Sequence, residues 1–302
     1  MNSSNNLGLT RRRVLASAGA AAGIGLLAGG CESGTSPTAS ASAAHPFYGS
    51  HQSGIATPPQ SHLLLAAVDL ASETASDLRD VLGDWSTAAA RLMRGERAVA
   101  GPPNFQAPPP DPGEADGLGP AALTITFGLG ASLFIRRGKD RLGLAFAAPR
   151  ALRPLPPFRG EALSSDQSDG DLVIQASADD PQVAFHAMHA LTRIAADRAS
   201  IRWAAHGSRS HPPNARGGMG HRNLFGFREG TRNVDPKDAA AMTQHVWAGG
   251  GREGDWMRGG TYLVFRRVQM LFDVWTPRRW RGKRGFSGAE RAVAPPLGVE
   301  AS

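Results

Sequence analysis

Ser61-His-Leu-Leu-Leu-Ala-Ala-Val-Asp69 is a continuous apolar run of strand length, and it predicts a largely buried β-strand. After it, Leu78, Val81, Leu82, Trp85, Ala89, Leu92 and Met93 recur at steps of three and four residues, the spacing of one helix face. Thr74 or Ser76 can cap the start of that helix, and Gly95 its end. A proline-rich loop at 102–112 leads to Leu123, Ile125 and Phe127, which alternate as in a half-buried strand. Asp171-Leu-Val-Ile-Gln-Ala176 reads as another strand. Asp180-Pro-Gln182 opens a second helix carrying Val183, Ala184, Ala187, Leu191 and Ile194, with Pro181 suited to the first helical position. The order strand, helix, strand, strand, helix predicts an α+β fold with helices packed on an antiparallel sheet.

Bulk properties set the limits around this core. A chain of 302 residues, 41% hydrophobic and 20% charged, can form one large or two medium domains. The net charge of +7 sits at the two ends. Arg11, Arg12 and Arg13 supply three charges, and the residues after Thr276 supply a net four, so 31–276 is neutral. A neutral body carries no electrostatic footprint for nucleic acid, which is excluded as a partner.

The N-terminus reads as an address. Thr10-Arg-Arg-Arg-Val-Leu15 precedes an apolar run from Ala16 to Gly30, the plan of a secretory signal over residues 1–30. The paired arginines resemble the twin-arginine type, which makes that export machinery a partner and an extracytoplasmic location the expectation. Cys31 is the only cysteine, which rules out an internal disulfide; it is positioned as a candidate lipid acceptor. Residues 31–44 form a small-residue linker.

Asn223-Leu-Phe-Gly-Phe-Arg-Glu-Gly-Thr-Arg-Asn233 gathers the chemistry. It sets one carboxylate, Glu229, beside Gly230, whose backbone can take φ > 0 and approach a ligand closely. A carboxylate so held is a candidate acid–base group. His186 and His189 are three apart on the second helix, but the sequence places no carboxylate to complete a metal set. They read as surface or cap histidines, and no metal ligand is assigned. His206, His211 and His221 read as loop residues, and the tryptophans as core or interface anchors.

Five separated blocks resemble one family, the dye-decolourising haem peroxidases with twin-arginine signals, including its deferrochelatase branch. They are Pro46-Phe-Tyr-Gly-Ser-His-Gln-Ser-Gly-Ile-Ala-Thr-Pro58, Leu123-Thr-Ile-Thr-Phe-Gly-Leu-Gly130, Gly170-Asp-Leu-Val-Ile-Gln175 with Ala178-Asp-Asp-Pro-Gln182, Asn223 to Asn233, and Trp256-Met-Arg-Gly-Gly-Thr-Tyr-Leu-Val-Phe-Arg-Arg267. The resemblance implies an α+β fold of the dimeric α+β-barrel type, with two ferredoxin-like lobes around haem b. It implies oxidation of dyes, phenols and similar small aromatic donors by hydrogen peroxide, and it allows a homo-oligomer. Glu229 matches the family's distal acid, usually Asp in a Gly-x-x-Asp-Gly pattern; the extra methylene moves the carboxylate by about 1.5 Å at most. Phe227, Gly230, Thr231, Arg232 and Asn233 match cofactor-contacting positions.

The matching predicts a first lobe over 45–200, a haem-loop region and the start of a second lobe over 201–276, and an aberrant tail over 277–302. Tyr262 to Trp275 reads as a strand running into a helix, with Gly260–Arg267 left as an exposed edge. From Thr276-Pro277 onward the motif agreement stops, and a reading-frame shift near 276–279 is one explanation. On this reading the second lobe is incomplete. The family's axial histidine and distal arginine fall beyond Ser302, no residue of the chain is a metal ligand, and weak haem binding or none is expected. The rival functions are a haemless truncated remnant, an exported binding lipoprotein, and a deferrochelatase that releases iron from haem.

Overall fold

A computed structural model describes residues 44–101, 109–209, 222–227, 229–230, 232–249 and 254–273. The signal segment, Cys31, His211, His221 and the tail from 274 lie outside the described residues. The apolar run forms β1 (His62–Leu70), followed by α1 (Ala75–Leu92), β2 (Thr124–Leu129), the short α2 (Ala131–Phe134), β3 (Leu172–Ala178), α3 (Pro181–Ile194) and β4 (Ala199–Ser208). The strands make one antiparallel sheet in the order β2-β3-β1-β4. Two split β-α-β units sharing a sheet in this order give a ferredoxin-like lobe, as the sequence predicts.

Both main helices start where side-chain chemistry places them. Thr74 Oγ1 accepts from Asp77 N at 3.2 Å to cap α1, and Asp180 Oδ1 accepts from Gln182 N at 2.7 Å to cap α3. Gly95, at φ +76°, closes α1 in the left-handed conformation. Leu78, Val81, Trp85, Ala89 and Leu92 of α1 are buried with Val183, Ala184, Ala187 and Leu191 of α3 against Ala66, Val68, Ile125, Leu172 and Ile174 of the sheet. Trp85 is 1% exposed, and its indole N–H donates to Leu191 O at 2.8 Å, so the largest core side chain also ties the two helices together.

The polar pin of the lobe is Asp171, which is fully buried. Its carboxylate accepts from Leu70 N at 3.0 Å, Ser132 Oγ at 2.7 Å, Arg141 Nη2 at 2.9 Å, and Arg136 Nη2. Burial pushes this carboxyl up, but the hydrogen bonds from Arg136, Ser132 and Leu70 outweigh it and hold it below the ordinary aspartate range. Next to it the backbone runs very close: a Cβ at Gly130 would lie 1.9 Å from Gly170 O. The Phe127-Gly-Leu-Gly130 block therefore ends in glycine because no side chain fits there.

The free edge of the sheet at β2 is met by the segment before β1. The Gln52 side chain donates to Phe127 O at 3.0 Å and accepts from Phe127 N at 2.9 Å, satisfying the free edge of β2 as a neighbouring strand would. Two expectations are corrected here. β4 carries the lobe to residue 208, past the expected boundary at 200, because Trp203 and Ala205 pair with Ala67 and Leu65 of β1. His206, read as a loop residue, lies in β4 opposite Leu64.

After β4 the described residues hold α4 (Ala239–His245) and a 3₁₀ turn at Asp255–Met257. Tyr262–Arg267 forms no strand ladder, contrary to the expectation, and Leu263 and Val264 are each 60% exposed. Side chains hold the segment instead. Phe265 stacks on Trp203 with centroids 5.5 Å apart, and Arg266 pairs with Glu161 at 3.0 Å while lying 4.7 Å over the Phe158 ring. Among the described residues no helix is long and apolar enough to cross a membrane.

Candidate functional site

The loop around Glu229 is built by one asparagine. Asn223 Oδ1 accepts from Phe225 N and Phe227 N, both at 3.1 Å, while Asn223 N donates to Phe227 O at 2.9 Å. This side-chain mimicry of a turn fixes a tight reversal at Gly226, whose φ is +85°. Arg222 Nη1 donates to Gly226 O at 2.8 Å on the same reversal. Gly230 has φ +76°, and a Cβ there would meet Asn233 Nδ2 at 3.3 Å. The glycine signal read at Gly230 thus corresponds to a backbone requirement, and Gly226 shares it.

The predicted site residues fall as follows. Glu229, Gly230, Arg232 and Asn233 are exposed, and Phe227 is half-buried. Asn233 N donates to Gly230 O at 3.3 Å, so these two cofactor-matching residues close one short turn. Thr231 lies outside the described residues. Phe225 packs on Phe272 with centroids 5.3 Å apart, supplying an apolar flank. A carboxylate, a guanidinium and aromatic faces on one glycine-rich turn suit a flat apolar ring bearing carboxylates.

A strap after the loop ties it back to the first lobe through Trp247 and Trp256, in keeping with the reading of the tryptophans as core or interface anchors, and through His51, to which the sequence gave no role of its own. His51 stacks on Trp247 with centroids 3.7 Å apart, and His51 Nδ1 lies 2.8 Å from Gly259 O. Trp256 Nε1 donates to Ala147 O at 3.2 Å. Gly259, at φ +77°, passes so close that a Cβ would lie 2.7 Å from Ser50 O. The one available signal was the pairing of the His51 block with the Trp256 block among the quoted motifs, which carries no distance information.

The reading of His186 and His189 is also corrected. Glu114, from the loop following the proline-rich stretch, reaches both: its Oε2 is 2.6 Å from His186 Nδ1 and its Oε1 is 2.6 Å from His189 Nδ1. Asp111 Oδ2 lies 3.5 Å from His186 Nε2. His186 is 4% exposed, so it is not the surface group the sequence suggests, and Asp111 beside it is 2% exposed. The carboxylates lie more than seventy positions from the histidines, and only the tertiary fold joins them. Burial pushes the Glu114 carboxyl up, but hydrogen bonds from His186, its own backbone and His189 hold it below the ordinary glutamate range.

Comparison with known proteins places both regions. The model of the Dyp-type peroxidase N-terminal domain matches residues 52–209, and that of the Dyp-type peroxidase C-terminal domain matches 220–290. The second match runs past Trp275, where the motif reading has the agreement stop. The chain is 32% identical over 304 residues to a deferrochelatase of Shigella flexneri, covering 96% of this chain and 70% of the relative. A deferrochelatase of Escherichia coli is 31% identical over 303 residues with the same coverage. Among solved structures, ferric DtpA from Streptomyces lividans is 38% identical with a TM-score of 0.67, covering 78% of this chain and 60% of that one. A DyP-type peroxidase from Streptomyces coelicolor is 38% identical with a TM-score of 0.68 and the same coverage. The chain thus spans 60% of the length of these solved chains.

Proposed function

The chain belongs to the Dyp-type peroxidase family, and from that premise we propose that it serves haem-dependent oxidation of small aromatic donors by hydrogen peroxide. The observation that carries this reading is the Asn223-built turn, which presents Glu229 between two glycines that need positive φ. Its groups fit the distal side of a haem. Phe227 and the backbone at Gly230 would face the ring, while Arg232, with Asn233 and Thr231, would meet the propionate edge. No axial ligand is assigned. Bound haem would supply the iron at which peroxide is cleaved. Glu229 would take a proton from one oxygen of hydrogen peroxide and return it to the other as it leaves. Its exposure leaves the path from solvent open to it.

The family resemblance and the curated relatives favour a second reading of the same loop, release of iron from haem. One experiment separates the two. The full chain is loaded with haemin and tested for donor oxidation with hydrogen peroxide, and for iron-free porphyrin with a reductant and no donor. The peroxidase reading expects peroxide-dependent donor oxidation that falls about 10²–10⁴-fold in Glu229→Gln, with haem retained. Porphyrin release without donor oxidation supports the second reading. Unchanged oxidation in Glu229→Gln removes this residue from the reaction.

We further propose export by the twin-arginine route, with 1–30 as the signal and Cys31 as a candidate lipid acceptor. The support is the arginine triplet before the Ala16–Gly30 run. Arg11→Lys with Arg12→Lys and Arg13→Lys should hold the protein in the cytoplasm on fractionation; export that persists refutes it.

A further inference from the structure

We propose that Asp111, Glu114 and His186 form a site for a divalent transition-metal ion of the zinc class, with His189 supporting it, apart from the Glu229 loop. His186 meets a carboxylate at each ring nitrogen. Its Nδ1 is 2.6 Å from Glu114 Oε2, which commits that nitrogen to Glu114. Its Nε2 faces Asp111 Oδ2 at 3.5 Å. The pair is withdrawn from solvent, with His186 4% exposed and Asp111 2%. A cation seated between them would be bonded by both.

The spacing suits a metal better than a second proton. A charge-assisted N–H···O bond closes to about 2.7–2.9 Å, well under 3.5 Å. Zinc bonds of about 2.0–2.1 Å to nitrogen and oxygen, at an angle slightly wider than tetrahedral, span this distance. The surroundings match a ligand shell as well. Ligand atoms of Asp111, Glu114 and His186 all lie within 4.8 Å of one another. Asp111 is fixed by Ala98 N at 2.5 Å and by Gly113 N at 2.8 Å, and metal-bound carboxylates are commonly steadied in this way. Glu114 holds the far nitrogen of His186, the carboxylate–histidine–metal relay seen around zinc. Its second oxygen is held by His189 Nδ1 at 2.6 Å, so the ion would be bonded directly by His186 Nε2 and Asp111, with its remaining positions open to solvent, while Glu114 and His189 orient the ring. Mixed nitrogen and oxygen donors favour zinc and its neighbours over calcium or magnesium, which take oxygen shells. A bound ion would clamp the 109–116 loop onto α3.

The test uses the full chain, stripped with chelator and titrated with Zn²⁺ against a chromophoric competitor, and with Co²⁺ read by its visible absorption. Asp111→Asn and Glu114→Gln keep size and most hydrogen bonds, and circular dichroism confirms that each is folded. The wild-type chain should take up one more tight equivalent than either variant, bind it at least about tenfold more strongly, and give a tetrahedral-type Co²⁺ spectrum that both variants lose. His189→Ala should weaken binding by less. Equal zinc uptake in wild type and both folded variants overturns the proposal, as does failure of the wild type to bind; either result leaves His186 a hydrogen-bonded ring between two carboxylates. Should Asp111→Asn not fold, the Glu114→Gln comparison decides. Iron and peroxidase activity play no part in the readout.

Discussion

Replacing Asp171 by Ala tests what holds the sheet to the α2 segment. The carboxylate is fully buried and shared by two guanidiniums, a backbone N–H and a hydroxyl. Removing one partner of a buried ion pair costs about 3–5 kcal/mol, because the remaining charge is left uncompensated. Arg136 keeps a second partner in Asp69 at 3.1 Å. Arg141, with a side chain 12% exposed, is paired among the described residues with Asp171. The stranded charge is therefore mainly one guanidinium, and the expected loss is at the lower end, about 3 kcal/mol. At about 2–4 °C per kcal/mol for a domain of this size, the midpoint falls by roughly 6–12 °C. Urea unfolding followed by far-UV circular dichroism, with the m-value checked for constancy, measures it. A double-mutant cycle with Arg141→Met should give a coupling of at least about 1 kcal/mol, since removing both members of the pair strands nothing. A loss below about 1 kcal/mol for Asp171→Ala, or strict additivity in the cycle, would refute the reasoning.

Acid should act through the same group and through Glu114. Both carboxyls are held below their ordinary values of 3.8 and 4.5, so their stabilisation is complete above those values and is lost as pH falls through the lower folded-state ones. The stability gap between wild type and Asp171→Asn should therefore narrow as pH falls below about 4, seen in urea midpoints across the range. Gly130→Ala should cost about 3 kcal/mol or more by overpacking, because the added carbon would stand 1.9 Å from a backbone oxygen rather than a movable side chain. A thermal midpoint within 2 °C of wild type counts against that. Asp180→Ala should cost about 0.5–2 kcal/mol through loss of the α3 cap, with Asp180→Ser recovering most of it in the same assay.

Local pattern was enough for the first lobe. Apolar runs and three-to-four spacing placed β1, α1, β2, β3 and α3, and the capping residues set the helix starts, because burial of one face and satisfaction of end N–H groups are decided by neighbours in sequence. β4 was less legible. Ile201, Trp203 and Ala205 alternate with Arg202 and His206, and on an edge strand the outward positions stay polar and exposed. The strand expected at Tyr262–Arg267 carries the right residues, but a strand needs a paired neighbour, and here aromatic and ionic contacts to the first lobe hold the segment instead.

The sequence by itself determined the family, the order of elements in the first lobe, and the turn that carries Glu229, where glycine and asparagine act on adjacent backbone. It could not determine which distant groups meet. The Asp171 ion cluster, the His51–Trp247–Gly259 strap and the joining of Asp111 and Glu114 to His186 each rest on residues between about 30 and 210 positions apart. Charge and hydrogen-bonding capacity are written in the chain, but their partners are chosen by how the sheet and helices pack, and only the tertiary structure fixes that.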